Sequence, residues 1–63
     1  MKDFTVMNHG LVWSIRAETP EAIAFAKENF HVEPWQGVPE NFTTDWRAAR
    51  DLVERLREEG WVL

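Results

Sequence analysis

Three features of this sequence predict an α+β domain: a β-hairpin with two helices packed on one face and a short C-terminal strand, in the order ββαα(β). Phe4 to Met7 and Leu11 to Arg16 alternate apolar and polar residues around Asn8-His9-Gly10, the pattern of two half-buried strands joined by a tight turn. Thr19-Pro20-Glu21 has the chemistry of a helix start, with a hydroxyl cap and a proline where the missing N–H is not needed. The stretch Thr44 to Glu59 places Trp46, Ala49, Leu52, Val53 and Leu56 within an arc of roughly 120° at the helical period. Gly60 follows, as helix-ending residues do.

Taken in order, the strands run over about 4–7 and 11–16, the helices over about 20–30 and 45–59, with a loop over 31–43 and a tail over 61–63, all in a single domain, 1–63. A two-residue turn at His9-Gly10 pairs Val6 with Trp13 and Phe4 with Ile15 on one side, and Met7 with Val12 and Thr5 with Ser14 on the other. The first helix offers Ala22, Ile23, Ala26 and Phe30 as its apolar face; these mostly small residues imply close packing on the hairpin, with Phe25 at the edge of the stripe. The second helix is capped by Thr43 or Thr44, with Asp45 in its first turn. Trp61 and Leu63 alternate with Val62, so the tail reads as a third strand pointing both side chains into the core.

The segment from His31 to Phe42 holds two prolines and Gly37 without a sustained period, and reads as an irregular loop. Loops of that length are uncommon in small domains and carry function disproportionately. Trp35, between Pro34 and Gln36, either tucks under the loop with Val38 and Phe42 to plug the core or projects as a contact residue.

Chain length limits the core. At 63 residues a domain buries only about 60% of the surface its unfolded chain exposes, so each large apolar side chain counts. Four Trp and four Phe supply the most buried area per residue, and self-association would add to it. There is no cysteine, which excludes disulfides and thiolate metal sites. The N-terminal residues lack the apolar region of a signal peptide, and no apolar run approaches the ~18 residues of a membrane span; the expectation is a cytoplasmic protein that does not enter membranes. Net charge is -4, concentrated over 17–41, where five Glu face Lys27 alone. That field disfavours a nucleic-acid backbone and favours a basic protein surface.

No catalytic constellation stands out. Ser14 is the only serine and lies mid-strand, explained by a cross-strand Thr5; a nucleophile needs a base held by a third group. His9 and His31 lack ligand spacing and read as a turn residue and a helix-end residue. Glu58-Glu59 and Glu18-Glu21 fall at helix ends, where they are expected to be solvated and unperturbed. Gly10, Gly37 and Gly60 are isolated, so there is no phosphate loop. The reading is a protein that is not an enzyme, with no cofactor and no metal.

Arg47, Arg50, Arg55 and Arg57 ride on the second helix. Asp51 lies four after Arg47, Glu54 four after Arg50 and Glu59 four after Arg55, which predicts a solvated face laced with ion pairs one turn apart. Arg50 and Arg57 instead border the apolar stripe beside Trp46 and Val53, where they are placed to cover the Trp46 ring or to anchor a partner at an interface rim.

Met7-Asn8-His9-Gly10 leading into an apolar strand, Thr19-Pro20-Glu21-Ala22 opening a helix, and Ala49 to Glu59 running into Gly60 together resemble a group of small uncharacterised bacterial proteins of this length. That group has Ser after the His-Gly pair, where this chain has Leu11. The resemblance brings no activity, cofactor or catalytic residue.

The function expected is therefore a non-catalytic, acidic protein-interaction module, one form of which is a phage- or mobile-element-encoded inhibitor that occupies a partner's surface. Its candidate partner-binding residues are Trp35, Glu33, Glu40, Phe25, Arg50 and Arg57, its partner a protein with a basic surface. The alternative is a nucleic-acid-binding regulator using the Arg-bearing face of helix 44–59, and homodimerisation is a third reading.

Overall fold

A computed structural model, describing residues 1–63, has six elements: β1 (Phe4–Asn8), β2 (Val12–Ala17), α1 (Pro20–Asn29), β3 (Gly37–Val38), β4 (Asn41–Asp45) and α2 (Trp46–Glu58). The class is α+β, but the order is ββαββα in place of the expected ββαα(β). All four strands form one antiparallel sheet in the order β1-β2-β4-β3.

The segment expected as a loop over 31–43 contains the difference. Asn41-Phe42-Thr43-Thr44-Asp45 alternates in period two, with Phe42 buried and Asn41, Thr43 and Asp45 exposed, and it pairs along β2 with Phe42 opposite Ile15. The β-branched threonines, expected as caps, extend a strand. The helix therefore starts at Trp46, and its cap is Asp45, whose Oδ1 accepts from the Arg47 and Ala48 N–H groups at 2.9 and 3.2 Å. β3 is a two-residue edge folded back by Pro39-Glu40. A side chain at Gly37 would bring its Cβ to 2.5 Å from the Asn41 carbonyl oxygen, and φ there is +128°, so only glycine permits this close approach.

In the first hairpin Phe4 pairs with Ala17, Val6 with Ile15 and Asn8 with Trp13. The His9 N–H donates to the Val12 carbonyl at 2.9 Å, so the turn is Gly10-Leu11 and not His9-Gly10. The shift from the expected register equals the side-chain period, so both faces keep their expected residues. Phe4, Val6, Trp13 and Ile15, joined by Ala17, face the helices; Thr5, Met7, Val12 and Ser14, joined by Arg16, face away.

Both helices pack on the same face. α1 contributes Ala22 and Ala26, α2 contributes Ala49 and Leu56, and the sheet contributes Phe4, Ile15, Ala17 and Phe42 to one core cluster. The small residues of α1 bring it close to the sheet, leaving space that aromatic rings fill. Phe4, Phe30, Phe25 and Trp61 close a circuit of ring contacts, at 6.1, 5.8, 4.9 and 5.5 Å between centroids, and Phe42 joins it through Phe30 at 5.7 Å. All five pairs are edge-to-face or tilted, the geometry the ring quadrupole favours.

Trp61 reaches this circuit because of how α2 ends. The Gly60 N–H bonds the Arg57 carbonyl and the Trp61 N–H bonds the Leu56 carbonyl, both at 3.0 Å, with Gly60 at φ +93°. This paired closure turns the chain back over the last turn of the helix. The tail then runs beside the start of β1, where the Val62 carbonyl accepts from the Asp3 and Phe4 N–H groups. Trp61 and Leu63 do pack against the core, but the tail forms no strand, because Asp3 supplies the returning bond from its side chain. Its Oδ2 accepts from the Val62 N–H at 3.0 Å, while its Oδ1 accepts from the hydroxyl of Thr19 at 3.1 Å. Thr19 in turn caps α1 through the Ala22 N–H. One carboxylate thus ties β1, the first helix and the tail together.

Candidate interaction surfaces

The helices cover one face of the sheet, and the other stays open. Thr5, Met7, Ser14, Arg16 and Asn41 line a shallow depression on this outer face. Val12, Trp35, Gln36, Thr43, Thr44 and Asp45 line a second, of about 240 Å³. Four large apolar side chains are exposed here or at the adjoining hairpin tip: Trp35 at 81%, Leu11 at 77%, Met7 at 54% and Val12 at 47%. Trp35 therefore projects, Val38 is also exposed, and only Phe42 of the three residues expected as a plug is buried.

The backbone beside Trp35 is pinned. The Gln36 N–H bonds the Glu33 carbonyl, and its own carbonyl accepts from the Thr43 N–H and hydroxyl. The Gln36 side chain accepts from the Glu33 N–H and donates to the Thr43 carbonyl. These bonds hold the turn against β4 and present the indole on an ordered platform.

The six residues expected at a partner site do not form one surface. Phe25 is not an exposed edge: it packs on Phe30 and Trp61 and lines a groove between the helices with Asn29, Leu52, Arg55 and Glu59. Glu40 faces Lys27 at 3.8 Å, and Glu33 faces His31 at 3.6 Å. Only Glu33 and Trp35 share a turn. Arg50 and Arg57 do converge, in a groove of about 370 Å³ between α2 and the edge of the sheet, with Lys2, Glu54, Val6, Trp13, Val53 and Leu63. Lys2 and Trp13 carried no such signal in the sequence, because the tail and β1 had first to be placed beside α2.

The ion pairs expected one turn apart along α2 are not formed; the one pair on this helix is Arg50 with the adjacent Asp51, at 4.0 Å. Instead Arg47 and Arg50 both sit over the Trp46 ring, at 5.5 and 5.2 Å from its centroid. The ring face competes for these guanidiniums at little desolvation cost, whereas exposed ion pairs hold two long side chains for little gain.

Ser14 does not meet Thr5, which pairs with Arg16. Its Oγ lies 2.7 Å from His9 Nε2, the spacing of a nucleophile and its base. The pair is exposed, no side chain orients the other ring nitrogen, and the nearby Gly10 N–H is spent on Asn8 Oδ1. Thr5 instead donates to Glu18, as does Arg16, so Glu18 is not the unperturbed carboxylate expected: these bonds hold its carboxyl below the ordinary range, Thr5 contributing most. No three His, Asp or Glu side chains are grouped to hold a metal ion, and no helix is long and apolar enough to cross a membrane. No protein-family model matches the chain, and neither does any curated protein or solved structure.

Proposed function

We propose that the chain is a non-catalytic protein-interaction module that docks the outer face of its sheet onto a partner, with Trp35 as the anchor. The observation that carries this reading is the 81% exposure of Trp35 on a turn whose backbone is already fixed. Tryptophan is the residue type most enriched among those that dominate interface energies, and an anchor held in place before binding loses little entropy on docking. Leu11, Val12 and Met7 extend the apolar patch around it. The charge beside it defines the partner: Glu33 and Asp45 are exposed, and Arg16, the cation of this face, is engaged by Glu18 at 3.1 Å. A protein with an apolar pocket and a basic rim fits. Occupying such a pocket is enough to inhibit its owner, with no chemistry required.

The test is to identify the bound protein and measure its affinity for variants. Trp35→Ala weakens binding by about 30-fold or more, the loss of a hot-spot residue of ~2 kcal/mol, while Arg47→Ala with Arg50→Ala has a minor effect. The reverse pattern overturns the reading. It would favour nucleic-acid binding through α2, for which the stacking of two guanidiniums on Trp46 is the supporting observation; that binding would weaken steeply with salt. Sedimentation across micromolar concentrations separates both from homodimerisation.

A further inference from the structure

We infer that the groove between β1 and α2 receives an extended acidic segment of another protein, which pairs by its backbone with the open edge of β1. This surface lies on the helix side of the sheet and is distinct from the Trp35 face.

The backbone argument comes from the ladder. His9 and Asp3 exchange bonds toward β2, through the His9 N–H to the Val12 carbonyl and the Asp3 carbonyl from the Glu18 N–H. Antiparallel pairing alternates, so Val6 and Asn8 direct their N–H and C=O groups away from β2, over the outer edge of the sheet. Phe4 belongs to the same set, and its N–H is taken by Val62. The Val62 carbonyl thus takes the first group of this set, and Val6 and Asn8 make no outward backbone bond within residues 1–63. At the opposite edge, β3 is only Gly37–Val38 and runs into Pro39, the usual way a sheet blocks further pairing. The β1 edge has no such block, and adding a strand there gives the outward backbone groups of Val6 and Asn8 protein partners they lack.

The chemistry of the added strand follows from the groove beside that edge. Its floor is apolar, from Val6, Trp13, Val53 and Leu63, and its charged side chains are Lys2, Arg50 and Arg57 against Glu54. In a chain of net charge -4 this is a local excess of cations. Lys2 and Arg57 have no ion-pair partner within 4 Å, and Arg50 meets only Asp51 at that limit. A strand projects alternate side chains to one side, so acidic residues at every second position meet these cations. A second copy of this chain is the wrong occupant: pairing β1 with itself would bring two sets of these cations together, and like charges across an interface cost affinity.

The test uses a capped heptapeptide of alternating Val and Glu, titrated into the labelled protein and followed by amide NMR shifts. The expected result is saturable binding, with the largest shifts at Val6 and Asn8 and slowed exchange of their amide protons. Lys2→Gln, Arg50→Gln and Arg57→Gln each weaken it about two- to fivefold, the scale of an exposed charge pair, and Trp35→Ala leaves it unchanged. Replacing Glu by Lys in the peptide, or methylating its alternate backbone nitrogens, abolishes binding. If the N-methylated peptide or free glutamate gives the same shifts, the site is an anion site only and strand pairing is wrong. If the Lys peptide binds as well, or Val6 and Asn8 do not respond, the inference is overturned. Because Trp35 is not involved, either result leaves the proposed function standing.

Discussion

Replacing Gly60 by Ala isolates the energetic worth of a single backbone conformation. Gly60 has φ +93°, and a Cβ added there would meet nothing within 4 Å, so the substitution adds no collision and removes no contact. What remains is the penalty for an L-residue in the left-handed region, about 1–2 kcal/mol. In a domain of this size each kcal/mol lowers Tm by about 4–8 °C, which puts the expected fall at about 5–15 °C. A thermal scan by far-UV circular dichroism measures the fall in Tm, and urea unfolding measures the free energy, with m unchanged because the exposed surface is unchanged. Asn tolerates this conformation better than Ala, so Gly60→Asn recovers part of the loss. Gly37→Ala is the companion, since it adds a 2.5 Å approach to the Asn41 oxygen to an unfavourable φ of +128°. It is expected to cost more than Gly60→Ala, at least about 2 kcal/mol, and to expose the Thr43 N–H that bonds Gln36 to faster exchange. A Gly60→Ala effect within about 0.3 kcal/mol of zero, or a Gly37→Ala effect smaller than that of Gly60→Ala, refutes the reasoning.

Asp3→Ala strands the Thr19 hydroxyl and the Val62 N–H and should cost about 1–3 kcal/mol, with faster amide exchange at Val62 before the sheet is affected. Trp35→Ala should change stability by no more than about 0.5 kcal/mol, because the side chain is exposed; a larger loss by urea titration would show that the indole supports the fold. Glu18 has a lowered folded pKa, so its contribution is present above the unfolded pKa and is lost as pH falls through the folded one. Thr5→Val removes the largest cause of that shift, and the slope of stability against pH in the acid range should flatten.

The second helix was legible in the sequence because its apolar stripe is periodic over more than three turns, enough repeats to outvote any single residue. The β-hairpin was legible as faces but not as register: a shift of two residues keeps every side chain on its side, so hydrophobic patterning alone cannot distinguish the two pairings. β4 was missed for a different reason. Its five residues contain one large apolar side chain, Phe42, and its two threonines suit either a strand or a helix cap. The decision came from β2, whose far edge offered unpaired backbone groups once α1 had crossed the sheet. β3 is shorter than any periodic signal and exists because Gly37 lets the chain approach β4. At the candidate surfaces, the convergence of Arg50 and Arg57 followed from helical spacing, whereas Lys2 and Trp13 joined them only through tertiary placement. The ion-pair pattern along α2 misled because spacing shows which charges are able to meet, and not what else competes for them. Trp46 was that competitor.

On the proposed function, binding and folding draw on different tryptophans in this chain. Trp61 is committed to the core by its contacts with Phe4 and Phe25. Trp13 and Trp46 are half-buried, the first beside α2 and the second at its opening position. Trp35 alone is largely exposed, and it stands on the sheet face that carries no helices. These 63 residues form two layers, the helices on one face of the sheet, and the other face is left open. Purely polar residues there would have met the needs of solubility, and Thr5, Ser14, Asn41 and Thr43 do so. Met7, Val12 and Trp35 on that same face add nothing to the core cluster, and exposed apolar groups of this size expose a protein to aggregation unless something covers them. If that face docks as proposed, substitution at these three positions alters a partner's affinity while leaving the unfolding transition in place. Substitution within the aromatic circuit must alter both, because it removes the support on which the open face is built.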